Sequence, residues 1–204
     1  MAEQLRGDEH ITFDGMPTGH LIGDFWRWAS SDLLSNTLRG VYSEFIVATA
    51  LGADTSSVRE EWTDFDLFFP YEWQDGSEYR TAVRVEVKSA AYLQSWKQTR
   101  PSPISFGIQK TLGWTPVDGY TEDRARRSDV YVFCLYNVTD RDKADLLSLD
   151  GWDFYVVSTR RIDEICGNQR TITLSRLRSL APIKTDYDGI RPAVEACLKN
   201  GGPQ

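Results

Sequence analysis

The chain of 204 residues lacks the residues on which several classes of site depend. Its three cysteines, Cys134, Cys166 and Cys197, are far apart and have no C-x-x-C spacing, and an odd number argues against a disulfide framework. Its two histidines, His10 and His20, have no cysteine or acidic neighbours at the spacing of metal ligands. A glycine-rich phosphate loop, a G-x-S-x-G motif and a Cys/His pair are all missing, which disfavours NTP hydrolysis and acyl transfer.

Long apolar runs are also missing. No run approaches the ~20 residues that a helix needs to cross a bilayer. Residues 1–9 contain no apolar region of the kind found in secretory signals. Unpaired cysteines suit a reducing compartment. We therefore expect a cytoplasmic protein that does not enter a membrane.

Positive charge is the third shortage, since the formal net charge is −7. Such a balance argues against a surface that binds nucleic acid over its whole extent, although a local basic lining is compatible with it. The length fits one domain with its own core. Residues 1–20 are polar and contain glycine and proline, so we expect a loose N-terminal arm. Residues 21–204 are predicted to form a single domain.

The most informative segment is a predicted strand at residues 83–89, with the sequence VRVEVKS. Alternation of valine and charged residues is typical of a strand, with the valines on one face and Arg84, Glu86 and Lys88 on the other. Charged groups on a half-buried strand need partners, because an isolated buried charge costs several kcal/mol. The pattern therefore predicts acidic or basic groups opposite this strand.

Two acidic segments precede this strand. Residues 58–69 are predicted to form an earlier strand that ends at Pro70, with Asp64 and Asp66 on one face. Residues 41–51 are predicted to form a helix closed by Gly52. Glu44 then lies near the first turn, where the helix dipole also favours an acid for structural reasons.

The order of these acids, a helix Glu, a strand Asp and Glu-x-Lys on the next strand, resembles that of the PD-(D/E)XK nuclease superfamily, which includes many restriction endonucleases. The residues that carry the pattern are Glu44, Asp66 and Glu86-Val87-Lys88, with 19 residues between Asp66 and Glu86. The resemblance covers about residues 39–136. Phe65 stands where the pattern has proline, so the choice between Asp64 and Asp66 stays open, and Asp66 is preferred because it lies nearer the strand centre.

The resemblance implies a restriction endonuclease-like α/β core, with a mixed sheet of four to five strands flanked by helices. It also implies a divalent-metal-dependent nuclease that cleaves phosphodiester bonds in DNA. Mg²⁺, or Mn²⁺ in its place, would be held by Asp66, Glu86, the carbonyl of Val87 and Glu44, since Mg²⁺ prefers oxygen ligands. Lys88 would orient or deprotonate the attacking water, or stabilise the charge that develops on phosphorus.

Two segments are predicted to contact nucleic acid. Residues 89–100 lead away from the Glu-x-Lys strand, and Gln94 and Lys97 are candidates there to hold a phosphate or a water. Residues 109–128 form a long excursion that contains the strongest basic cluster, Arg124, Arg126 and Arg127. The structural alternatives are an ordinary surface loop and a patch of surface ion pairs.

The remaining segments predict an α/β protein. We expect strands at residues 104–108, 129–136 and 151–157, and helices at residues 24–36, 139–147, 160–166 and 190–198. Nucleic acid is the expected partner, with a homodimer or a partner protein as further candidates. Two alternative hypotheses compete with the nuclease. One is an inactive module of the same fold that binds nucleic acid or a protein, and the other is a structural protein in which Lys88 pairs with Glu44 or Asp66.

Overall fold

The computed structural model describes residues 3–59, 63–115 and 119–199. Eleven strands are described: β1 (His10–Phe13), β2 (Met16–Leu21), β3 (Leu67–Asp75), β4 (Glu78–Ala91), β5 (Ser105–Gly107), β6 (Thr111–Thr115), β7 (Gly119–Ala125), β8 (Val130–Tyr136), β9 (Trp152–Ser158), β10 (Thr171–Thr173) and β11 (Ile183–Thr185). Five α-helices accompany them: α1 (Ile22–Ser30), α2 (Asn36–Leu51), α3 (Thr159–Cys166), α4 (Leu174–Ser179) and α5 (Ile190–Lys199).

A mixed sheet of five strands forms the centre of the fold, in the order β11-β9-β8-β4-β3. β4 pairs antiparallel with β3 and parallel with β8, and β9 pairs antiparallel with both β8 and β11. Apolar residues of α2 and α5 pack on one face of the sheet, while α3, α4 and the β5–β10 ribbon pack on the other. The predicted α/β class and the mixed sheet flanked by helices are therefore confirmed.

β4 contains the predicted strand at residues 83–89 and extends beyond it at both ends. Val83, Val85 and Val87 are buried in the core beneath α2 and α5. The charged residues between them are only partly buried, as the alternation of faces predicts. β8, which is buried along its whole length, lies beside β4 in the centre of the sheet.

The strand before β4 differs from its prediction. β3 begins only at Leu67, so Asp64 and Asp66 lie in the bend that leads into the strand; residues 60–62 lie outside the described part of the chain. Pro70 does not end β3 but lies inside it, paired with Ala82 of β4. β3 is an edge strand, and an edge strand tolerates a residue that has no N–H. Strand pairing continues to a tight turn at Gly76, whose φ of 61° suits glycine.

α2 begins one and a half turns earlier than predicted. Its N-cap is Ser35, whose hydroxyl accepts a hydrogen bond of 3.3 Å from the backbone N–H of Leu38. Gly52 follows the helix with a φ of 70°, as predicted. Glu44 consequently lies in the middle of the helix and not near its first turn. The dipole therefore gives no structural reason for an acid at this position.

Two other predictions need correction. α1 begins at Ile22 and ends at Ser30, in place of the predicted helix at residues 24–36, and Asp24 in its first turn accepts a hydrogen bond of 2.8 Å from the backbone N–H of Leu21. Residues 139–147 contain a 3-10 turn, Arg141–Lys143, in place of the predicted helix. The excursion at residues 109–128 contains the hairpin of β6 and β7, and the N-terminal arm contains the hairpin of β1 and β2.

Within the described residues, no helix is both long enough and apolar enough to span a membrane.

Candidate active site

Asp66, Glu86 and Lys88 meet where β3 begins beside β4. The Lys88 Nζ lies 2.5 Å from Glu86 Oε1 and 3.6 Å from Asp66 Oδ2. Glu86 and Lys88 are neighbours on one face of β4, and the bend before β3 places Asp66 against them. Two carboxylates therefore converge on one ammonium. With Glu44, these residues form what we call the charged cluster.

A backbone contact fixes the position of Asp66. Its Oδ2 atom accepts a hydrogen bond of 2.7 Å from the N–H of Val87, and its own N–H donates to the carbonyl of Val85 at 3.2 Å. Regular pairing between β3 and β4 ends where Leu67 faces Val85. The Asp66 carboxylate therefore satisfies a donor of β4 that lies beyond the end of the strand pairing.

Glu44 joins the cluster from α2. Both of its carboxylate oxygens are bonded to Arg59, Oε2 to Nε at 2.5 Å and Oε1 to Nη2 at 3.0 Å. The Glu44 side chain is only 14% exposed. Its negative charge nevertheless acts on both Glu86 and Lys88. Sequence reasoning missed Arg59, because nothing in its local pattern connects it to α2.

Burial and charge shift the pKa values of the cluster. Burial raises the pKa of Glu86 above its usual range; Lys88 opposes this rise, while repulsion from Asp66 and Glu44 adds to it. Burial alone would lower the pKa of Lys88, but the charges of Asp66, Glu86 and Glu44 outweigh it, so the pKa of Lys88 is raised. The three carboxylates act in the same direction on both groups, since they share only Lys88 and Arg59 as cations. Lys88 is therefore an ammonium at neutral pH, and the cluster retains an excess of negative charge.

Tyr131 lies beside the cluster and was not identified from the sequence. It pairs with Glu86 across β4 and β8 and is 3% exposed. Burial raises its pKa, and the nearby charge of Glu86 raises it further. Tyr131 is therefore a neutral phenol. The continuous apolar run of β8 gave no signal that one of its rings would adjoin a carboxylate.

The oxygen atoms of the charged cluster are of the chemical type that magnesium binds. Carboxylate and carbonyl oxygens are the ligands that Mg²⁺ prefers, and Asp66, Glu86 and the Val87 carbonyl supply both types. In the described part of the chain, however, no three His, Cys, Asp or Glu side chains are grouped closely enough to hold a metal ion as they stand. The Lys88 ammonium is the cation between the acids in this arrangement.

Asp64 and Asp66 contact different partners. Asp64 Oδ2 lies 3.6 Å from the Nε atom of Arg127, whereas Asp66 contacts Lys88 and Val87. Of the two aspartates, Asp66 is therefore the one that shares a cation with Glu86. The sequence had left this choice open.

Gln94 and Lys97 have different environments in the segment after β4. Gln94 is 7% exposed, and its Nε2 atom donates to the carbonyl of Ala91 at 2.9 Å. Arg141 donates to the carbonyl of Gln94 at 2.6 Å and to that of Trp96 at 2.9 Å. Because the Gln94 side chain is turned inward, its predicted contact with a phosphate needs correction, whereas its predicted contact with a water stays a prediction. Lys97 is exposed, as a phosphate contact requires.

The predicted basic cluster is divided between surface and core. Arg124 is exposed on β7. The Arg126 side chain is 0% exposed; it bonds to Asp163 and to the carbonyls of Ile108 at 2.6 Å, Gly167 at 3.0 Å and Gln169 at 3.2 Å. Arg127 is partly buried and donates to the Thr121 hydroxyl at 2.7 Å. The prediction for Arg126 is therefore wrong, because its guanidinium closes the end of α3 and does not face solvent.

Comparison of the chain with protein-family models, with curated proteins and with solved structures finds no match. The case for a function therefore depends on the residues and contacts of this chain.

Proposed function

We propose that this chain is a divalent-metal-dependent nuclease that hydrolyses phosphodiester bonds in DNA at the charged cluster. The observation that carries the proposal is the convergence of Asp66 and Glu86 on Lys88, with Glu44 adjacent and the pKa of Glu86 raised. A carboxylate whose folded environment disfavours its charge lowers stability at neutral pH. Such groups are concentrated at functional sites.

The residues divide into distinct roles. Asp66, Glu86 and the Val87 carbonyl would hold Mg²⁺ or Mn²⁺, which when bound makes water more acidic and stabilises charge on a phosphate. Lys88 would donate a hydrogen bond to the phosphate or the attacking water and balance the negative charge of the transition state. Its raised pKa favours this role over that of a base. Glu44, whose two oxygens already bind Arg59, would act through its charge.

We propose DNA as the substrate because this chain has exposed cations that could neutralise its phosphates. Lys97 follows β4 and is exposed, and Arg124 is exposed on β7. Arg127 contacts Asp64, which lies two residues before Asp66 in the chain. The overall negative charge confines such contacts to a local surface, since a net charge of −7 repels DNA elsewhere.

A second candidate function is an inactive module of the same architecture that binds nucleic acid or a protein. The observation that favours it is that each acid of the cluster already has a protein partner: Val87 and Lys88 for Asp66, Lys88 for Glu86, and Arg59 for Glu44. In such a module the lysine would serve only to neutralise the acids.

A cleavage assay separates the two functions. The full chain is incubated with supercoiled plasmid and with labelled DNA and RNA oligonucleotides in Mg²⁺, Mn²⁺ or EDTA. We expect metal-dependent cleavage of DNA that is lost in Asp66→Asn and in Glu86→Gln. Asp153→Asn is the matched control, because Asp153 on β9 bonds Lys184 on β11 at 2.8 Å, towards the edge of the sheet opposite β3. Failure to cleave every substrate with either ion, together with no change in melting on adding metal, would reject the nuclease.

A further inference from the structure

The N-terminal unit, residues 3–30, is folded but stands apart from the sheet. The backbone N–H of Ile22 donates to the carbonyl of Glu9 at 2.9 Å, and that of Gly23 to the carbonyl of Gly7 at 3.0 Å, which holds residues 3–9 against α1. A hydrogen bond of 3.4 Å from Gln4 Nε2 reaches the carbonyl of Thr55 after α2. Among the described elements, β1 and β2 pack mainly on each other and on α1. The unit is therefore held together by its own hydrogen bonds and makes few contacts with the rest of the described chain.

The hairpin of β1 and β2 has no covered face. Every residue of β1 is exposed, as are the first five of β2. Phe13 and Met16 face each other across the hairpin and are 81% and 69% exposed. A two-stranded hairpin in water is marginally stable at best. This hairpin therefore needs a further surface against which to pack.

α1 presents an apolar stripe in the same unit. Phe25 and Trp28 are one turn apart, and their ring centroids lie 6.4 Å from each other. Trp28 is 84% exposed, and Gly23 is the residue of α1 that is buried. An amphipathic helix normally turns such a stripe towards a core. Here the stripe faces away from the core that the chain provides.

The exposed apolar area of the unit matches that of a dimer interface. Large apolar side chains of the unit that are exposed are Leu5, Ile11, Phe13, Met16, Phe25, Trp26 and Trp28. With full areas of ~150–250 Å² for each aromatic side chain, these fractions leave roughly 700 Å² of apolar surface in water. A standard interface takes about 800 Å² from each partner.

Charge and strand chemistry indicate which partner fits. Residues 3–30 contain five acids and two arginines, and this excess of acids repels a polyanion such as DNA far more strongly than a second copy, which carries only the same small charge. β1 contains no charged residue, proline or glycine. Charged residues and proline are devices by which natural edge strands avoid pairing with another chain; β1 lacks both, although it is short and its register is irregular between His10 and Thr12. An antiparallel pair of such strands about a twofold axis is self-complementary.

We propose that the N-terminal unit is a homodimerisation arm. In a twofold-symmetric pair of this chain, β1 of one copy pairs antiparallel with β1 of the other. The exposed side chains of the hairpin and of α1 in one copy then pack against those of its partner. This inference does not depend on the proposed nuclease, since it concerns different residues and is tested by mass.

The test measures the molar mass of the full chain by sedimentation equilibrium between about 1 and 100 µM. We expect a dimer, and we expect the triple variant Phe13→Ser, Met16→Ser, Trp28→Ser to raise the dissociation constant by at least ~100-fold, since buried aromatic anchors dominate interface energies. Thr12→Lys leaves every apolar side chain in place but puts a charge on β1, and we expect it to weaken the dimer as well.

Leu147→Ser is the matched control, because Leu147 is 71% exposed but lies outside the unit; this variant should stay dimeric. Circular dichroism melting of each variant tests whether the sheet domain remains folded. A wild-type chain that is monomeric at every concentration would overturn the proposal. A dimer that survives both the triple variant and Thr12→Lys would also overturn it and place the interface elsewhere.

Discussion

The carboxylate of Asp66 accepts a hydrogen bond of 2.7 Å from the backbone N–H of Val87, the residue between Glu86 and Lys88. This bond ties the bend before β3 to the strand that carries the other two charged groups. Asp66 is therefore placed by the backbone of β4 and not only by attraction to a cation. Its position should persist when the charges around it are changed.

Our first prediction distinguishes Asp66 from Asp64. Mg²⁺ should raise the melting temperature of the wild-type chain, because an ion that binds only the folded state adds ~2.7 kcal/mol to the free energy of unfolding at 100 times its Kd. Asp66→Ala should abolish this increase, whereas Asp64→Ala, which loses a contact with Arg127, should retain it. Differential scanning calorimetry with and without Mg²⁺ measures both. The opposite result would identify Asp64 as the ligand.

The second prediction concerns pH. The pKa of Glu86 is raised in the folded state, so the folded chain binds the extra proton more readily than the unfolded chain. The free energy of unfolding contributed by Glu86 therefore falls as pH rises from the ordinary glutamate pKa of about 4.3 through the higher folded value. Glu86→Gln removes this loss. The variant should match the wild type at low pH and melt at a higher temperature at neutral pH.

Urea unfolding of both proteins across this pH range measures the difference. Asp153→Asn provides the comparison, because Asp153 pairs with Lys184 without such a cluster of acids around it, and its removal should bring no gain at neutral pH. A Glu86→Gln chain that is less stable than the wild type at neutral pH would show that the Glu86–Lys88 pair is a structural ion pair. A variant that is more stable would show that Glu86 lowers the stability of the wild type, as residues of functional sites commonly do.

The strand that organises the cluster could be predicted from the sequence, but several partners could not. Alternation of valine and charge locates β4 and its two faces correctly, because the period of a strand is a local property. The start of α2 was placed too late, because Ser35 was assigned to the preceding helix although it is the N-cap. Pairing of Glu44 with Arg59 depends on how the chain returns to α2, and no local pattern contains that information.

Arg126 shows the same limit for charge patterns. Three arginines in four positions resemble a basic surface, yet the guanidinium of Arg126 fits among carbonyls at the end of α3. Those carbonyls come from residues far along the chain. Sequence spacing therefore could not separate Arg126 from its exposed neighbour Arg124.

A third prediction follows for these two arginines. Arg126→Ala should lower the free energy of unfolding by ~1–3 kcal/mol, because it leaves the carbonyls of Ile108, Gly167 and Gln169 without their donor. Asp163 adds little to this loss, since it is 42% exposed and Lys110 lies 3.9 Å from it. Arg124→Ala should change stability by less than ~0.5 kcal/mol. If DNA binds near β7, the same Arg124 variant should reduce the slope of log affinity against log salt by about 0.9. Urea unfolding and fluorescence anisotropy test the two expectations, and an unchanged slope would leave Arg124 as a surface charge only.

The last prediction concerns Lys88, whose ammonium lies between Glu86 and Asp66. If it acts in the transition state, Lys88→Ala should reduce turnover by ~10²-fold or more while the chain still binds Mg²⁺. Without metal the variant should be less stable, because the two carboxylates lose their shared cation. Saturating Mg²⁺ should restore part of that stability, since the ion supplies the missing positive charge. Lys184→Ala, which removes the lysine of a similar pair on β11, should leave cleavage unchanged. A Lys88→Ala chain that cleaves DNA at the wild-type rate would confine Lys88 to charge balance, whereas lost cleavage with Mg²⁺ binding intact would establish it as a catalytic residue.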